Sequence, residues 1–217
     1  MNFEQARINM IKQQIRSCEV LDDSILDLFD VLHREDFVPE PYRHLALADT
    51  PIPLAHGQQT MTPMLEARIL QFVSVRTGDN VLEIGSGCGY MTALLGKSGK
   101  TVHSVDIFQD FTDHTARCLQ LHGINNVQLY TGDAVQGWPD ASPYDVIIVT
   151  GSVPVLEPHF QQQLRQGGRL FIVVGKSPAM EARLITRTGP DSWDSVCLLE
   201  TDLPPLVGAP EPEPFQF

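Results

Sequence analysis

The chain has 217 residues, a length that one core with an embellishment can serve, and its 42% hydrophobic and 19% charged residues supply an interior and exclude wholesale disorder. A formal net charge of −12 excludes partners that present a phosphate backbone or an anionic lipid surface, because those are held by clustered Lys and Arg. No stretch approaches the roughly 18 uninterrupted apolar residues of a membrane span and the first residues lack an apolar h-region, so a soluble, cytoplasmic protein is expected.

In chain order, Phe3, Ala6, Ile8, Met10, Ile11 and Ile15 follow helical spacing from Asn2 to Ser17, and Asp22 to Leu32 repeats the pattern. A helical N-terminal extension is predicted. Pro39, Pro41, Pro51 and Pro53 then exclude a long helix between Phe37 and Gln59, where an extended connection is expected. Thr62 and Pro63 read as an N-cap and first-turn pair opening a helix through Ala67, Ile69, Leu70 and Phe72.

Beyond that point short runs rich in Val, Ile and Leu appear at Val81–Ile84, Thr101–Val105, Val127–Tyr130, Val146–Val149 and Leu170–Val174. Helix-length segments at Tyr90–Lys97, Phe111–His122 and Pro158–Arg165 separate most of them. Strands apolar on both faces that alternate with helices predict an α/β fold, Rossmann-like and doubly wound, with a mostly parallel sheet. Ala182–Thr188 and Val196–Glu200, joined by a Gly189-Pro190-Asp191 turn, predict a C-terminal antiparallel hairpin. The expected organisation is a single domain over 1–217: a helical, loop-rich extension over 1–60, a core over 61–203, and a flexible tail over 204–217.

The four cysteines, Cys18, Cys88, Cys118 and Cys197, form neither CxxC pairs nor a zinc spacing with His, so free thiols and no metal are expected. Cys88 has no His near it in sequence to activate it.

The segment Val81–Tyr90, VLEIGSGCGY, carries the chemistry. An apolar strand running into Gly85, Ser86, Gly87 and Gly89 and then a helix offers backbone N–H groups and bare backbone to a nucleotide-like ligand. The third glycine of a dinucleotide fingerprint would fall at position 90, which is Tyr90, so the pattern is GxGxG preceded by Glu83. That pattern resembles the first motif of class I methyltransferases. Asp106, in HSVDI with Ile107 after it, closes the second strand 21 residues after Gly85, where a carboxylate can accept from both ribose hydroxyls. Asp133, in TGDA after the third strand, stands where the resemblance implies a carboxylate facing the adenine amino group, with Ala134 contributing its backbone N–H. The cofactor implied is S-adenosyl-L-methionine.

Along nearly its whole length the chain is similar to the protein-L-isoaspartate O-methyltransferases. The likeness rests on REDFVPE at Arg34–Glu40, VLEIGSGCGY, NVQLYTGDAVQGW at Asn126–Trp138, PYDVIIVTG at Pro143–Gly151, and the later PPLVG segment. The resemblance implies methyl esterification of the free α-carboxylate at an isoaspartyl linkage in a damaged protein or peptide. A carboxylate already ionised at pH 7 needs no base, in keeping with the missing general-base histidine; His56 reads as a loop side chain or a substrate contact.

One departure concerns the family's GQTISxP-like stretch, whose serine holds the substrate carboxylate. Here it reads HGQQTMTP, and an ungapped match puts Met61 at the serine's place. A one-residue shift would install Thr62 instead, and Thr60 and Thr62 flank the position. Met61, Thr60 and Thr62 are therefore the catalytic candidates. The alternative readings are a methyltransferase of a different, less polar acceptor, and a cofactor-binding protein without turnover.

Overall fold

The computed structural model describes residues 2–210. Asn2 caps α1 (Phe3–Asn9), accepting from the Gln5 backbone N–H, and the helical path continues through a π-helical stretch at Met10–Ile15 and a tighter turn at Arg16–Cys18. The predicted first helix is thus present but not uniform. The wider π turn sets Met10 and Ile15, five residues apart and both fully buried, against one core. Asp22 caps α2 (Asp23–Val31), which buries Ile25, Leu26 and Phe29. Residues 32–62 hold only short 3-10 turns, as the prolines require.

Thr62 is the N-cap of α3 (Pro63–Val73), its oxygen accepting from the Leu65 N–H, with Pro63 in the first turn. The sheet follows: β1 (Asn80–Ile84), β2 (Thr101–Asp106), β3 (Val127–Thr131), β4 (Tyr144–Val153), β5 (Leu164–Lys176), β6 (Ala179–Gly189) and β7 (Ser192–Glu200), in the order β3-β2-β1-β4-β5-β6-β7. The first five are parallel, and β6 and β7 add antiparallel. Three helices lie between strands: α4 (Tyr90–Ser98), α5 (Gln109–Leu121) and α6 (Pro158–Gln162).

Alternate residues of the central strands serve two apolar layers. Val81, Val146, Ile148, Phe171 and Val173 pack with the N-terminal helices, α3 and α4, while Leu82, Ile147, Val149, Leu170 and Ile172 pack with Phe160 of α6 and Tyr144. Both faces are therefore dry, as a parallel sheet demands. This is the doubly wound, Rossmann-like arrangement expected, and its strand order reverses between β1 and β4, where open α/β sheets hold ligands.

Two boundaries differ from expectation. The helix predicted over Pro158–Arg165 stops at Gln162, because the Arg187 guanidinium of β6 takes the Gln162 and Leu164 carbonyls (3.2 and 2.7 Å) and the chain turns into β5. The segment read as the start of a loose tail lies along β4 instead: Ser152 N–H donates to Pro204 O, Leu206 N–H to Ser152 O, and the Ser152 hydroxyl to Leu203 O, all within 2.9 Å. Residues 211–217 of that tail lie outside the described residues.

Candidate active site

β1 delivers Gly85 and Gly87 to the carboxyl edge of the sheet with φ of +95° and +52°. Only glycine fits the first of these, since a Cβ on Gly85 would stand 2.3 Å from Thr150 Oγ1 at the end of β4. Gly89, also left-handed, starts α4 against Thr115. At the end of β2 the Asp106 carboxylate grips this loop: Oδ2 accepts from the Gly87 N–H at 2.9 Å and the Ser86 hydroxyl at 3.3 Å, and Oδ1 accepts from the Phe108 N–H at 3.0 Å. At the end of β3, Asp133 Oδ1 accepts from the Val135 N–H at 2.9 Å.

These strand ends border an open cleft, and Gly85, Gly87, Asp106, Ile107, Asp133 and Ala134 line it together. Sequence reasoning missed its walls. Phe108 and Phe111, from the start of α5, and Leu54 supply apolar surface, and Pro204 to Val207 form a lip. The signal for Phe108 and Phe111 was their place directly after Asp106. The lip's signal was the PPLVG segment, whose prolines suggested fraying.

Glu83 does not line the cleft. It lies under the loop, fully buried, with Oε2 accepting from the Thr92 and Ser104 hydroxyls at 2.6 Å each. Burial pushes its carboxyl up to about 7, outweighing the two hydroxyl donors. Glu83 and Gly89 thus build the glycine loop from behind.

A second, smaller chamber opens beside the first, between the glycine loop and residues 54–61. Thr60 and Met61 line it, with Ser86, Cys88 and Met91 opposite, and Thr62 does not. Both threonine oxygens are engaged as acceptors: Thr60 Oγ1 accepts from Arg34 Nη2 (3.1 Å) and the Ile52 N–H (3.0 Å), while Thr62 Oγ1 accepts from the Leu65 N–H as the cap of α3. Arg34, fully buried, is the hub of this region. Its guanidinium also reaches Met61 O (2.7 Å), Ala46 O (2.8 Å) and Glu66 Oε2 (3.1 Å).

His56 is neither simply solvated nor aimed into the chamber. Its ring stacks on Phe108 with centroids 4.0 Å apart, and Nε2 meets the Asp110 carboxylate at 2.9 Å, fastening the 54–59 turn to α5. Burial pushes the Cys88 thiol up to about 12, which removes it as a nucleophile near neutral pH. Among the described residues no group of three or more His, Cys, Asp or Glu is placed to hold a metal ion.

Residues 5–208 match the family model described as protein-L-isoaspartate(D-aspartate) O-methyltransferase. The chain belongs to the protein-L-isoaspartate O-methyltransferase family. Protein-L-isoaspartate O-methyltransferase 1 of Rhodopseudomonas palustris is 35% identical over 97% of this chain and 89% of its own length, and the Brucella anthropi enzyme is 32% identical over 95% of both. Among solved structures, a Plasmodium falciparum protein-L-isoaspartate O-methyltransferase in complex with S-adenosyl-L-homocysteine superposes with a TM-score of 0.78, covering 95% of this chain and 98% of its own at 17% identity. That structure supports the fold; the sequence relatives carry the family. Met61, 7% exposed, lines the smaller chamber and presents no hydroxyl there.

Proposed function

We propose that this chain is an S-adenosyl-L-methionine-dependent carboxyl O-methyltransferase acting on isoaspartyl residues of damaged proteins or peptides. The observation that carries the reading is the meeting of Asp106 and Asp133, from the ends of two strands, with the Gly85 and Gly87 backbone in one cleft. These residues fit the donor. Asp106 is fixed by three donors, two from the glycine loop and one from Phe108, and keeps lone pairs for ribose hydroxyls. Asp133 has one oxygen fixed and the other available to an adenine amino group. Phe108, Phe111 and Ile107 offer an apolar slot for a purine, and a side chain on Gly85 would collide with Thr150 at the cleft wall.

Bound there, S-adenosyl-L-methionine supplies a methyl group on a sulfonium, an electrophile that needs no acid to activate it. What the protein contributes is alignment, since the acceptor carboxylate is already ionised at neutral pH, and alignment can be worth roughly 7–11 kcal/mol. Leu54 lines both the cleft and the smaller chamber, and Phe108 and the lip at Pro204 to Val207 wall the cleft. The 54–61 loop of the N-terminal extension and the lip both belong to the site, which supports reading the chain as one functional domain. No helix among the described residues is long and apolar enough to cross a membrane, in keeping with a cytoplasmic enzyme. A second reading, transfer to a less polar acceptor, is favoured by one feature, the thioether of Met61 in the chamber.

The test is methyl transfer from labelled donor to an isoaspartyl peptide beside its aspartyl twin. Labelling of the isoaspartyl peptide alone is expected, and labelling of neither, with the donor bound, would refute the assigned acceptor. For the donor site, Asp106→Ala is expected to weaken S-adenosyl-L-methionine by about 100-fold, two charge-assisted bonds of roughly 1.5 kcal/mol each; unchanged calorimetric affinity would remove the ribose role.

A further inference from the structure

The cleft and the smaller chamber share a border, and whatever passes between a ligand in one and a ligand in the other must pass there. Leu54, Gln59, Gly85, Gly87 and Thr150 line both. Their hydrogen-bonding capacity can be followed atom by atom. The Gly85 N–H donates to Val105 O and the Gly87 N–H to Asp106. The single Thr150 hydroxyl proton is directed at the Ile84 and Gly85 carbonyls, 2.9 and 2.7 Å away. Just inside the chamber, Ser86 donates to Asp106 and Met61 has no proton to give, while Thr60 Oγ1 accepts from Arg34 and the Ile52 N–H and keeps its own proton, but Thr60 lines the chamber only and stands off the border. The Gln59 side chain is exposed, and its amide has no hydrogen-bond partner among the described residues. Its backbone is nonetheless fixed, bridged to Pro53 and flanked by the Leu54–Gln58 and Thr60–Ile52 hydrogen bonds.

We propose that the Gln59 amide is the donor that holds the acceptor carboxylate, replacing the hydroxyl that position 61 does not supply. The inference rests on the carboxyl methyltransferase reading above. A neutral N–H donor suits this role because it fixes one carboxylate oxygen without a full counter-charge, leaving the other free to attack. Gln59 is therefore a specificity-determining residue on the acceptor side, and it has no part in holding the donor.

Steady-state kinetics on the full chain with an isoaspartyl peptide, together with calorimetry of S-adenosyl-L-methionine binding, test this with Gln59→Ala and Gln59→Glu. Loss of one hydrogen bond to a charged group is expected to raise the peptide KM about tenfold in Gln59→Ala, with donor affinity within about twofold of wild type. Gln59→Glu keeps the shape but puts a carboxylate against a carboxylate, so its KM is expected to exceed that of the alanine variant. A packing role alone would give the opposite order. Wild-type turnover with unchanged peptide KM in Gln59→Ala, a glutamate variant no worse than alanine, or donor affinity falling in step with KM would each overturn the inference while sparing the reading beneath it. A wild-type chain that binds donor and ignores the peptide would overturn both.

Discussion

The glycine loop and the 54–61 loop face each other across one site, and each stands on a buried carboxyl, but the supports differ in kind. Beneath the glycine loop Glu83 has only the Thr92 and Ser104 hydroxyls, and its Oε1 has no partner among the described residues. Beneath the facing loop Glu66 has a guanidinium, and Arg34 ties that pair to the loop by bonds to Thr60 and Met61. Burial drives both carboxyls up to about 7, opposed by hydroxyls in one case and by a cation in the other. The donor half of the site is thus held by the adjacent β2 and α4, while the acceptor half hangs on one long-range hub. Independent supports imply that the two halves fail independently.

The largest expected effect is at the hub. Arg34→Ala strands the buried Glu66 and frees the loop carbonyl of Met61, a loss of about 3–5 kcal/mol in denaturant unfolding. Arg34→Lys, which keeps the charge and loses the planar fork, is expected to fall between alanine and wild type. In whatever fraction stays folded, the peptide KM should rise far more than the donor Kd. Equal deterioration of both constants would show that the halves are one mechanical unit.

At Glu83 the support is expected to report itself through pH. A carboxyl raised in the folded chain favours its neutral form there, so its contribution is fully present below the ordinary value of 4.5 and is lost as pH rises towards 7 and beyond. The interval corresponds to about 3 kcal/mol. Glu83→Gln removes that loss, so the stability gap between variant and wild type should widen in the variant's favour by about 3 kcal/mol from pH 4.5 to pH 8. Glu66 titrates over the same interval and in the same direction, so a residual slope is expected in the variant. Parallel unfolding curves for the two proteins would mean that Glu83 is not the group responsible.

The same contrast explains what could be read from the sequence. Asp106 and Asp133 were legible because each follows an apolar run, and a parallel sheet brings the ends of such runs to one edge. The inward aim of Glu83 was also available: it shares a face with Val81, two residues away, and that face is buried. Nothing local marks Arg34 as a hub, since its partners lie 12 to 32 residues further on, in a connection with no periodicity and in the first turn of α3 beyond it. The order of the lip was hidden for a related reason. Pro204 and Pro205 lack N–H groups, but Ser152 asks Pro204 only for its carbonyl. Thr60, Met61 and Thr62 could be named as candidates, yet which hydroxyls were engaged depended on contacts from outside the loop.

Thr62 offers the smallest effect and a clean separation of helix capping from acceptor binding. Its oxygen caps α3 through the Leu65 N–H at a long 3.3 Å, and the neighbouring Met64 N–H is served separately by Asp49 Oδ1 at 3.0 Å. With two side chains sharing the first turn, Thr62→Ala should cost about 0.5–1 kcal/mol, the low end for an N-cap, and Thr62→Ser should restore it. Because Thr62 lines neither chamber, the peptide KM of both variants should match wild type. A rise in KM with Thr62→Ala that Thr62→Ser reverses would place this hydroxyl on the acceptor after all. Such a result would assign the acceptor-side hydroxyl to Thr62, whose oxygen can accept from the Leu65 N–H while its proton is donated to an incoming carboxylate.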